Sequence, residues 1–166
     1  MGAADLSSGP QPSEHEDELH LELHRAADEL GKYAAKMRIS DPKGIAPDRA
    51  KRFMDSLLVT VTKENFEVGA DLIGHVKAFM HSPDGTLMGS LVDMNTGVQL
   101  TSGLTKKSFK DAEIILHVIV HGIWDDKVRD ATRVGIQKVI KEYGLGLEVL
   151  QDYFETEKSI EHHLKK

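Results

Sequence analysis

Hydrophobic residues recur along this chain with two different periods. In "AEIILHVIVHGI", Ala112, Ile114, Leu116, Val118 and Val120 alternate with Glu113, Ile115, His117, Ile119 and His121. Alternation places the first set on one unbroken apolar face of a strand, to lie against a helix layer. "LIGHVKAFMHSPDGTLMGSLVD" reads as a hairpin: Ile73 to Met80 as one strand, a Pro-Asp-Gly turn, and Leu87 to Val92 as the return. "FMDSLLVTVTKENF" also alternates, Leu57, Val59 and Val61 against Leu58, Thr60 and Thr62, and predicts a half-buried strand. A short strand with a loop is expected in residues 98–112 and a short edge strand in "LGLEVL".

The second period is helical. Leu19, Leu23, Ala26, Leu30, Tyr33 and Met37 are spaced by four and three, a heptad-like stripe on a helix over residues 14–39. Ser13 and Glu16 have the spacing of a capping box. After Asp125 and Asp126, suited to a helix start, Val128, Ala131, Gly135, Val139 and Tyr143 mark a buried side and Gly144 a stop. The expected layout is a polar tail over 1–13, the amphipathic helix, and a linker at 40–52 containing two prolines and a glycine. A domain over 53–150 and a charged terminal helix over 151–166 complete it. The fold class is α+β: an antiparallel sheet of about four strands, helices on one face, plus the N-terminal amphipathic helix. That helix also offers residues 16–39 as a homodimer contact.

Composition narrows the chemistry. The 166 residues include no cysteine, which removes disulfides, thiolate nucleophiles and Cys-ligated metals. A formal charge of -6, from 27 acids against 21 bases, argues against general nucleic-acid binding. No apolar run reaches the ~20 residues that span a bilayer, and the N-terminus lacks a signal-peptide pattern, so a cytoplasmic protein without membrane association is expected. No Walker A loop, dinucleotide fingerprint or G-x-S-x-G elbow occurs.

Histidines carry what chemistry remains. His117 and His121 share a strand face, but four residues at ~3.3 Å each part their Cα atoms by about 13 Å, too far to clasp one ion easily. His75 and His81, with Lys77 between them, lie on one face of another strand. If the two strands are neighbours, all five residues form a surface for a ligand or protein partner. A cross-strand pair there could also hold a metal, or one of His75, His117 and His121 could act as an acid–base group. His20 and His24 have the helical i, i+4 spacing that suits zinc, nickel or cobalt, though without the HExxH pattern. His162 and His163 stand together near the end. No cofactor is required by any motif.

Residues 70–142, with "IGHVKAF" opening a strand, an Asp-Gly turn, and a late strand ending in "VHGI" before an acid-led helix, resemble the C-terminal region of CobW-like proteins. Those are GTPases linked to cobalamin synthesis and metal insertion. The resemblance implies a free-standing accessory domain, because the GTPase loop and the cysteine-containing metal motif of that family have no counterpart here. No catalytic residue carries over. What it leaves is a non-catalytic domain whose histidine surface binds a partner or small ligand. The alternatives are a histidine-ligated metal-delivery protein and a small acid–base enzyme.

Overall fold

The computed structural model describes Glu18 and residues 30–154. Eight elements follow one another: β1 (Leu30–Ile45), α1 (Pro47–Glu67), β2 (Leu72–Ser82), β3 (Gly85–Leu91), β4 (Gln99–Ser102), β5 (Phe109–His121), α2 (Asp125–Tyr143) and β6 (Gly146–Asp152). The strands form one sheet in the order β4-β3-β2-β5-β1-β6, and every neighbouring pair is antiparallel. Within it, β6-β1-β5-β2 with crossovers α1 and α2 is two interleaved βαβ units, the split βαβ or ferredoxin-like arrangement. The β3–β4 hairpin extends the sheet beyond β2. The α+β class with an antiparallel sheet is as expected, with six strands rather than about four.

Two expected elements change type. Residues 53–66 are helix, not strand. Ala50, Phe53, Met54, Leu57, Leu58, Val61, Thr62 and Asn65 are all buried. Their spacing of three and one is a helical stripe that extends well beyond the six alternating positions. Pro47, at the start of α1, donates no amide and fits where none is needed. Conversely, residues 30–39 are strand, not helix. Gly31, Tyr33, Ala35, Met37 and Ile39 are buried, while Lys32, Ala34, Lys36 and Arg38 are not. Leu30, Tyr33 and Met37 fit a heptad, but the period of two is the one the fold uses. The expected linker at 40–52 is the end of β1 and the first turn and a half of α1, separated only by Ala46. A coiled-coil contact through residues 30–39 is therefore excluded, because Tyr33 and Met37 are in the chain's own core. His20, His24, His162 and His163 lie outside the described residues, as does the part of the expected terminal helix beyond Phe154.

Both helices cover the same sheet face. Glycines mark their close approaches: a Cβ on Gly89 of β3 would meet Leu58 and Met54 of α1 at 2.8–2.9 Å, and one on Gly135 of α2 would meet the Val61 backbone at 2.9 Å. At the helix crossing, Asn65 Nδ2 donates to Thr132 Oγ1 at 3.3 Å, and Thr62 Oγ1 donates to the Leu58 carbonyl at 2.7 Å. At ~1.5–3 kcal/mol for each large apolar side chain fully buried, this layer supplies the main stabilisation. Gly144, at φ 63°, ends α2 with its amide donating to the Ile140 and Lys141 carbonyls. Arg49 of α1 ties that end to β1: it donates to the Tyr143 carbonyl and at 2.6 Å to Asp41. Asp125 does not cap α2. Its carboxylate accepts the Lys32 amide at 2.9 Å, satisfying β1 where β6 no longer pairs with it.

Candidate binding face

Among the described residues, no helix lies against the other face of the sheet. Register brings the histidine strands together as the sequence suggested, since β2 and β5 are neighbours. Across β2, β5 and β1 the open-face residues fall into rows: Lys77, His117 and Ala34; His75, Ile119 and Lys32; Phe79, Ile115 and Lys36; His81, Glu113 and Arg38. Met88 and Ser90 of β3 continue two of these rows beside Phe79 and Lys77. Phe79 is 42% exposed and Met88 45%, large values for such side chains in the middle of a sheet.

His75, Lys77, His81 and His117 therefore share one surface, but no histidine stands directly opposite another. Lys77 is opposite His117, and Glu113 is opposite His81. His75 and His117 are diagonal neighbours, a relation that leaves ~7–8 Å between strand positions. Among the described residues, no three His, Asp or Glu side chains gather as a metal site would need. His117 and His121 lie on an extended strand, so the separation inferred from their spacing holds.

His121 belongs elsewhere. Its Nδ1 is 2.6 Å from Asp71 Oδ1, and its carbonyl accepts the Asp71 amide at 3.0 Å. Ring and backbone together stitch the end of β5 to the start of β2. A His–carboxylate pair can orient an acid–base group, but this one sits at the sheet's end, beyond the two rows that hold His75 and the Lys77–His117 pair.

Charge divides the open face. At one end Glu113 accepts Arg38 at 3.0 Å and Lys36 at 3.4 Å, and Arg38 reaches Glu148 at 3.4 Å. The Arg38 hydrogen bond, with Lys36 beside it, holds the Glu113 carboxyl below the usual carboxylate range. That end is internally neutralised. At the other end Lys77, His75 and His117 cluster around Ile119, and no carboxylate among the described residues pairs with the Lys77, His75 or His117 side chain. Burial, then the Lys77 charge, then His117 lower the His75 pKa from the ordinary imidazole value.

Lys32, Ala34, Lys36 and Arg38 were not among the residues singled out from sequence. Their signal was present as the alternation of cations with Tyr33, Met37 and Ile39, but it was hidden by the heptad reading of the same segment. Tyr153 and Phe154 were also missed. They leave β6 and fold beside β1, where with Lys32, Ala34, His117 and Ile119 they frame a cleft of about 190 Å³.

No family model matches this chain, and no curated protein does. Among solved structures, an amidase of the hydantoinase/carbamoylase family from Burkholderia multivorans is similar with a TM-score of 0.39 and 14% identity. The match covers 80% of this chain and 31% of that one, so the chain spans about a third of the amidase. A likeness of that size transfers neither fold nor activity. No helix among the described residues is long and apolar enough to cross a membrane.

Proposed function

We propose that this is a non-catalytic accessory domain whose open sheet face docks an acidic, leucine-bearing segment of a partner protein. One observation carries the reading: half-exposed Phe79 and Met88 and partly exposed Ile119 are interleaved with the Lys77 cation and with His75 and His117, and no carboxylate among the described residues pairs with Lys77. Apolar side chains supply contact area, and the uncompensated charge selects the sign of what covers them. The reading takes nothing from the likeness to CobW-type domains, which neither a family model nor a curated relative supports.

A labelled peptide of glutamates and leucines, titrated into the full chain, tests this by fluorescence anisotropy. Saturable binding is expected, weakened by raising salt. Lys77→Glu weakens it at least about fivefold, the scale of an exposed ion pair. Phe79→Asp weakens it with little change in melting temperature. A matched peptide with lysines in place of glutamates binds far less. Equal binding of both peptides, or none by either, contradicts the reading.

A further inference from the structure

The cleft beside β1 has features that the docking surface does not explain. Its floor is the open face of β1 and β5 at Ala34 and Ile119, and its far wall is Tyr153 and Phe154. That wall is anchored from several sides. Asp152 accepts Tyr33 Oη at 3.0 Å and the Phe154 amide at 3.1 Å, and Arg133 donates to it as well. The Arg129 guanidinium lies 4.4 Å from the Phe154 ring centroid. The Phe154 ring is thus held beside an aliphatic floor, with Tyr153 next to it and Lys32 and His117 at the rim.

The volume, about 190 Å³, is below the ~300–1,000 Å³ of sites for drug-sized ligands. It is too small for a partner helix, whose diameter with side chains is ~10–12 Å. Aromatic walls favour a flat apolar body, because ring faces stack and bury area without losing rotamers. Lys32 brings positive charge and His117 a ring nitrogen, and no carboxylate among the described residues lines the cleft. Asp125 is engaged by the Lys32 main-chain amide. The geometry points to a binding site for a small aromatic monoanion, an aryl carboxylate or its sulfonate analogue, with the ring between Phe154 and Ile119 and the anionic group at Lys32 and His117. This site shares the open face with the proposed docking surface but does not depend on its use.

Titration of the isotope-labelled full chain with 2-naphthoate, 2-naphthamide and 2-naphthylmethylammonium, followed by amide shifts, tests it. The expected shifts centre on Ala34, Ile119 and Phe154. Naphthoate binds roughly fivefold more tightly than the isosteric amide, the discrimination an exposed cation supports, and the ammonium binds weakest. Lys32→Gln abolishes the preference for the anion while retaining the ring's affinity, and Phe154→Ala weakens all three. The inference is overturned by equal affinity for the three, by shifts centred elsewhere, or by no shifts at millimolar ligand. Lys77→Glu leaves naphthoate binding in place, so loss of cleft binding with intact peptide docking overturns this inference alone.

Discussion

Strand β5 carries isoleucine on both of its faces, and the two faces have opposite fates. Ile114 is 0% exposed, among Leu116, Val118 and Val120, all equally buried under the helices. Ile115 and Ile119, one residue away on the same backbone, stay partly exposed among Lys36, Lys77 and His117. Residue type does not decide between them. The neighbours across the strands do: a face of aliphatics alone is covered by an amphipathic helix, whereas one interleaved with cations cannot be covered without desolvating them. That contrast separates the face this chain uses to fold from the face proposed above as a docking surface.

Substitutions that break the covered face have the largest effects. Leu116→Ala removes a fully buried side chain facing the helices and is expected to cost about 2–5 kcal/mol by denaturant unfolding. Gly135→Ala drives a methyl to 2.9 Å from the Val61 backbone, so α1 and α2 must separate. A loss of about 1–3 kcal/mol is expected, and a neutral result would show that the helices slide freely.

Titrating groups sharpen the comparison. Burial pushes the Tyr33 hydroxyl up to about 12, with Arg133 opposing and Asp152 reinforcing the shift. A phenol that keeps its proton in the folded state adds stability below its unfolded pKa of ~10, and this is lost as pH rises toward the folded value. Tyr33→Phe is expected to flatten the alkaline fall in melting temperature between about pH 10 and 12. It should also cost about 1 kcal/mol at neutral pH through the lost bond to Asp152. On the open face the sign reverses. His75 has a lowered pKa, so the unfolded chain takes up its proton first as pH falls below roughly 6.5. That proton uptake favours unfolding, and His75→Gln should make the melting temperature fall less on going from pH 7 to 5. Ile119→Ala has the smallest expected effect, under about 1 kcal/mol, because the residue is not enclosed.

Much of this was legible in the sequence where period and length agreed. β2, β3, β5 and α2 stand where alternation, the Pro-Asp-Gly turn and the glycine stop placed them. The two misreadings share a cause: segments whose apolar positions satisfy both periods over a short window. Leu57 to Thr62 alternate and also lie within a helical stripe. Leu30, Tyr33 and Met37 extend a heptad and also sit in the alternation of β1, and only pairing with β5 and β6 selects the strand. Half of the open face followed from sequence, through His75, Lys77, His81 and His117. The half contributed by β1 did not, because a helical reading scattered Lys32, Lys36 and Arg38 around a cylinder. The cleft could not be foreseen at all, since it depends on β6 ending beside Ala35 and releasing Tyr153 and Phe154.

The sharpest test of the two-faced sheet uses the absence of cysteine from the chain. Single cysteines placed in turn at Ile114, Ile115, Val118 and Ile119 report accessibility by their rate of reaction with a thiol reagent under native conditions. Rates at 115 and 119 should approach those of an unfolded thiol. Rates at 114 and 118 should be roughly a hundredfold slower or more, as local opening costing ~3 kcal/mol dictates. Equal protection at all four positions would mean that both faces are covered, and the open face would lose its claim to be a docking surface.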